Sequence, residues 1–230
     1  MKSRDEIENE IELSDVAAET DVTAETNPPL ARSFAEIIGQ GGLTRRLIGL
    51  VGLARRRGEA LGHILLLGPD GCGKRTTAHI IARELGVNLR AVEASQIGRV
   101  GDLAAIVNDL NEGDVLFVEN TNQLRKDLVT VLLPALKDFE MSIIVGKGHG
   151  ARTMRLAVRP FTLIGTAERL SDCQRDLLNA FHAVLSFQTY NELEMVELAA
   201  RLAAQGGISF EPQRRPCWPS SPRGILREPK

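Results

Sequence analysis

The segment Gly68-Pro69-Asp70-Gly71-Cys72-Gly73-Lys74 has the spacing G-x-x-x-x-G-K, in which glycines let backbone N–H groups turn toward an anion and a lysine neutralises it. It follows HILLL (63–67), a short unbroken apolar run of the kind buried on both faces of a parallel sheet. A stretch with helical periodicity over 74–85 comes next. Strand, loop and helix in that order aim the unpaired amides of a helix N-terminus at a phosphate. The expected ligand is ATP or ADP, with Gly68, Gly71, Gly73, Lys74, Arg75 and Thr76 as the contacts. The competing reading is a glycine-rich turn with a surface lysine.

Magnesium chemistry at such a loop needs a Ser or Thr hydroxyl directly after the lysine. Here the position is Arg75, and Thr76 lies about 100° further round a 3.6-residue helix. Two alternatives stay open for Arg75: a guanidinium near the phosphates in place of the cation, or a side chain in solvent with weak metal binding. A second apolar run, VLFV (115–118), ends in Glu119-Asn120, where an ATPase sets a metal-supporting acid and then a base for water. Glu119 is the candidate metal residue, the alternative being a solvated acid at a strand end. Asn120 is neutral and takes no proton, so the general base is missing and the magnesium site is incomplete.

The elements that must hold these residues alternate along the chain. Leu43, Leu47, Ile48, Leu50, Val51 and Leu53 predict an amphipathic helix ending at Gly58. Further strands are expected over 88–92, 115–118, 161–164 and 184–187, with helices over 103–110, 124–136 and 191–204. This rhythm predicts an α/β fold with a mostly parallel sheet and helices on both faces. The run 141–158, two strand-like halves around Gly146-Lys147-Gly148-His149-Gly150, predicts a projecting β-hairpin. An ordinary surface ribbon is the alternative there.

Composition bounds the rest. A chain of 230 residues with 43% hydrophobic content suits one main domain with tails. Residues 1–29 hold nine acids against Lys2 and Arg4 and cannot bury a core, so a disordered acidic tail is expected. Residues 211–230 carry five of the ten prolines and the only tryptophan, which predicts a second disordered tail after a nucleotide-binding domain over 30–210. Three scattered cysteines, Cys72, Cys173 and Cys217, support neither a disulfide framework nor a zinc site. No apolar run approaches the roughly 20 residues of a membrane span, and the first residues lack a signal-peptide core, so a soluble cytoplasmic protein without a membrane partner is expected. The net charge of -2 and the lack of a long basic stripe with aromatics give no direct sign of nucleic-acid grip.

Several stretches in order resemble the RuvB-type branch-migration motors: IGQ (38–40), RGEAL (57–61), the phosphate loop, ELGVN (84–88), GDLAAI (101–106), EGDVLF (112–117) and PFTLIG (160–165). The likeness spans about 30–210. It implies an AAA+ ATP-binding subunit of a ring homo-oligomer acting in DNA recombination and repair, with a RuvA-like junction-binding partner at the hairpin 141–158 and DNA implied only indirectly. It implies that Tyr190 belongs to the nucleotide pocket, although an isolated tyrosine there also serves packing. It also exposes departures. The residue expected to sense the γ-phosphate falls on Glu168, an acid, and 176–181, where the family carries its arginine finger, holds no arginine. The family's helical lid and winged-helix domain are expected to be absent, with 214–230 read as an out-of-frame tail.

Metal hydroxyl, base, sensor and finger are thus altered together. The reading is a RuvB-like ATP-binding subunit with impaired hydrolysis. Its rivals are a non-catalytic nucleotide-binding or partner-docking module and a frameshifted relic, and whether the chain is an enzyme stays open.

Overall fold

The computed structural model describes residues 31–145 and 152–207. The two terminal tails and the hairpin turn around Gly146 to Gly150 therefore lie outside the described residues. Five strands form one parallel sheet: β1 (Ile64–Leu67), β2 (Leu89–Glu93), β3 (Val115–Glu119), β6 (Thr162–Ala167) and β7 (Ala183–Ser186), in the order β2-β3-β6-β1-β7. Two more, β4 (Glu140–Val145) and β5 (Arg152–Ala157), pair antiparallel as a separate ribbon, from Glu140 opposite Ala157 to Val145 opposite Arg152. The ribbon is the hairpin that the sequence predicts, displaced by one residue at each end.

The helices are α1 (Gly41–Arg57), α2 (Lys74–Leu85), α3 (Val100–Asn108), α4 (Lys126–Lys137), the single turn α5 (Arg175–Leu178) and α6 (Glu192–Gln205). Strand side chains alternate between faces, so each central strand feeds two cores. Val115 and Phe117 of β3 pack with Leu47 and Val51 of α1 and Ile80 and Ile81 of α2. Leu116 and Val118 turn the other way, onto Leu103 of α3 and Leu128 and Leu132 of α4. This is why 115–118 reads as unbroken apolar: both faces of the strand are covered.

Buried polar groups pin the strands. The Nδ1 of His63 accepts from the Leu163 N–H at 2.9 Å, which leaves the proton on Nε2 to donate to the Leu136 carbonyl at 3.0 Å. The Asp114 carboxylate accepts from the N–H groups of Asn88 (3.1 Å) and Asn111 (2.9 Å), fixing where β2 and β3 start. Gln40 is buried just before α1, and its amide exchanges two hydrogen bonds with the backbone of Gln188, at 2.8 and 3.1 Å. The chain entering α1 is thereby tied to the chain leaving β7. No helix among the described residues is long and apolar enough to cross a membrane.

Candidate functional site

Parallel strands all end at the same edge, and the order β3-β6-β1 sets the loop after β1 two strands from Glu119. At about 4.8 Å per strand that gap is about 10 Å, a span that a long side chain from α2 can bridge. A cleft of about 420 Å³ opens there. Gly71, Gly73, Lys74, Arg75 and Thr76 line it, with Glu119 and Tyr190 on other walls. Gly68 is not among the lining residues and serves the turn: its φ is 147°, and a Cβ would sit 2.9 Å from the Cβ of Phe187.

The loop is built to present amides. Gly71 and Gly73 have φ of 78° and 95°, a region that side-chain-bearing residues rarely adopt. Gly73 caps α2 without any side-chain hydrogen bond, so the first N–H groups of that helix stay available to an anion. Lys74 is largely buried and folds back on the loop, donating to the carbonyls of Gly68 (2.6 Å) and Pro69 (2.9 Å). A phosphate would exchange with these neutral acceptors. Tyr190 covers the loop, its hydroxyl donating to the Cys72 carbonyl at 3.0 Å. Burial, helped by neighbouring acidic groups, pushes its phenol up to about 12, so it stays a donor at neutral pH. Burial likewise raises the Cys72 thiol, which removes thiolate chemistry from the loop.

Arg75 lines the cleft and turns to Glu119. Its Nε and Nη2 donate to the two oxygens of Glu119 at 2.9 and 3.0 Å, a fork-on-carboxylate pair joining α2 to the end of β3. The pair is partly exposed, with side-chain exposures of 47% and 26%, so its own contribution is about 1 kcal/mol. Its effect on a cation is to cancel the carboxylate's charge, so that a divalent ion would meet a neutral pair in place of an anion. Glu119 thus has both oxygens engaged, no hydroxyl follows Lys74, and no cluster of three His, Cys, Asp or Glu able to hold a metal occurs among the described residues. The residues fit a nucleotide polyphosphate and do not fit magnesium.

Asn120 lines the same cleft with φ of 53°. Its N–H donates to the Thr166 hydroxyl at 2.9 Å, and the Thr121 hydroxyl donates to the Thr166 carbonyl at 3.0 Å. Thr166 therefore fixes the turn after β3 and itself lines the cleft. Glu168, on which the sensing position falls, is exposed beyond the end of β6 and outside the cleft lining. The segment 176–181 carries no arginine, but Arg175 stands exposed at the start of α5.

Several lining residues escaped the sequence reading. Ala31, Ile37, Ile38 and Leu198 give the cleft an apolar part of its lining. Arg201 of α6 donates to the Glu36 carbonyl at 2.6 Å and pairs with Glu197 at 3.0 Å, joining α6 to the short helical turn before α1. Only the paired spacing of Glu197 and Arg201, one helical turn apart, hinted at an ordered role.

Residues 30–187 match the family described as the P-loop domain of the Holliday junction DNA helicase RuvB. Among solved structures, the RuvB Holliday junction branch migration motor of Thermotoga maritima is 33% identical, with a TM-score of 0.71 over 80% of this chain and 57% of that one. A proline-to-glycine mutant of the same protein gives 34% identity and a TM-score of 0.71 over 79% of this chain and 57% of that one. The chain thus spans a little over half the length of the structures it matches.

Proposed function

The chain belongs to the family of RuvB P-loop domains, and from that premise we propose that it is a nucleotide-binding RuvB-like subunit whose ATP hydrolysis is impaired. The observation that carries the reading is the pairing of an intact phosphate loop with Asn120 at the turn that supplies the base. ATP or ADP lays its phosphates on the amides of 71–76 beside Lys74, and its base at the apolar lining formed by Ile37, Ile38 and Leu198. An uncharged amide at Asn120 orients water but accepts no proton, so in-line attack on the γ-phosphate lacks its acceptor.

The domain over 30–210 supplies this site, and the roles given to Gly68, Gly71, Gly73, Lys74, Arg75, Thr76 and Tyr190 rest on their positions at the loop. The ribbon β4–β5 would meet a RuvA-like partner; Met154 on it is about half exposed, which suits an apolar contact. Ring assembly and work on DNA junctions in recombination and repair are carried over from the motor that the chain resembles. A non-catalytic docking module is the reading that the Asn120 observation favours next.

The test is nucleotide binding by calorimetry beside ATP turnover on junction DNA. Binding at micromolar nucleotide with turnover well under about 1 s⁻¹ is expected, and turnover at that ordinary enzyme rate would refute the impairment. Asn120→Glu alone should not restore turnover, since Arg75 still bridges to Glu119.

A further inference from the structure

Arg75 and Glu119 meet where a magnesium-dependent P-loop domain brings a hydroxyl and a carboxylate to one cation. Resting on the nucleotide-binding reading above, we infer that this site takes a nucleoside polyphosphate free of any divalent cation, with the Arg75 guanidinium as a built-in counter-ion. The guanidinium has the right attachment. It springs from the residue after Lys74, on the first turn of α2, and the backbone around it forms the phosphate-facing wall of the cleft. Its fork is docked on both oxygens of Glu119, within hydrogen-bond distance at 2.9 and 3.0 Å. The same fork geometry matches two oxygens of a phosphate.

Glu119 is in turn fixed from behind. The turn after β3 is tied to β6 through Thr166, which fixes the backbone from which the Glu119 side chain springs. A metal-bound nucleotide would meet a carboxylate already neutralised by the guanidinium and find no hydroxyl after Lys74. The nucleotide must therefore shed its cation to enter, and Lys74 with Arg75 takes over the neutralisation.

This gives the metal effect an unusual sign. Magnesium in solution sequesters ADP, so adding it must weaken binding to this protein, whereas it strengthens or leaves unchanged binding at a loop that holds the metal. The experiment is calorimetric titration of the full chain with ADP, in chelator and in excess magnesium, for the native protein and for Arg75→Thr. Thermal unfolding of each variant, followed by circular dichroism, checks the fold. The native protein should lose about tenfold in apparent affinity on adding magnesium, the mass-action consequence of removing free ligand. Arg75→Thr should reverse the sign, binding ADP more tightly with magnesium than without. Manganese in place of magnesium gives a second readout: its electron spin resonance signal should show no protein-bound ion with the native chain and ADP. Tighter native binding in magnesium, or manganese held in the native ternary complex, would overturn the inference while leaving nucleotide binding intact. No binding of ADP under either condition would instead overturn the nucleotide-binding reading on which it rests.

Discussion

His63 sits where three elements meet, with its ring hydrogen-bonded to β6 on one side and to the end of α4 on the other. Burial holds its pKa below the ordinary 6.5, against the opposing pull of the Leu136 carbonyl and with a smaller push from His182. In the unfolded chain the imidazole binds a proton below about pH 6.5, whereas in the folded chain it keeps the neutral form to lower pH. Stability contributed by the neutral ring is therefore complete above that value, falls as pH drops below it, and stops falling once the depressed folded pKa is passed. Urea unfolding at about pH 7.5 and about pH 5.5 should show the loss. His63→Asn should cost about 1–3 kcal/mol at the higher pH and flatten the difference between the two; an unchanged difference in the variant would assign the pH dependence to other groups. Asp114 is a second buried anchor. Asp114→Ala leaves the N–H groups of Asn88 and Asn111 unpaired beside a buried position, and a loss of about 2–4 kcal/mol in the same assay is expected.

Among the elements, α1 carries a defect that its own chain does not explain. Gly49 and Gly52 lie inside the helix with no atom within 4 Å of a would-be Cβ, and neither has a positive φ. Alanine at either position should thus raise stability by about 0.5–1 kcal/mol, seen as a higher urea midpoint with an unchanged slope. A lower midpoint would mean that the helix needs those glycines. Gly165 on β6 is the opposite case: a Cβ there would lie 2.8 Å from the Thr121 methyl and 2.9 Å from the Phe181 ring, so Gly165→Ala should destabilise by about 1–3 kcal/mol. One residue type in two elements has opposite predicted effects, because sheet interiors approach closely and outward helix faces do not. The helix α6 is set by its own sequence at one end, where Asn191 and Glu194 cap each other's backbone at 3.0 and 2.8 Å.

For the molecule as a whole, the cleft is closed by chain from both ends of the fold: Ala31 to Gln40 on one side, Tyr190 to Arg201 on the other. Nucleotide should therefore tighten α6 as well as the phosphate loop. Hydrogen exchange with saturating ADP is expected to slow at the amides of 192–205 and at 71–76, and slowing confined to the loop would show that α6 does not close the site. The legible part of this protein was local. Glycine spacing after an apolar run, helical periodicity after Lys74 and the Glu119-Asn120 pair are read from neighbours in the chain, and the family likeness and the parallel α/β fold rest on such runs. Strand boundaries drifted by a residue or more, since apolar runs do not mark where pairing stops. Three things were decided only in three dimensions. Thr166 rather than Glu168 lines the cleft, because 166 is held within β6 by pairing with β1 whereas 168 lies past the last paired residue. Ile37, Leu198 and Arg201 join the site through contacts more than 150 residues apart in sequence between Glu36 and Arg201. The partner of Arg75 was open between solvent and phosphate in the sequence. Sheet order set it, by bringing the end of β3 within reach of α2 across a separation of 44 residues. A side chain's type is fixed by the sequence, but its electrostatic partner is fixed by which strands lie side by side.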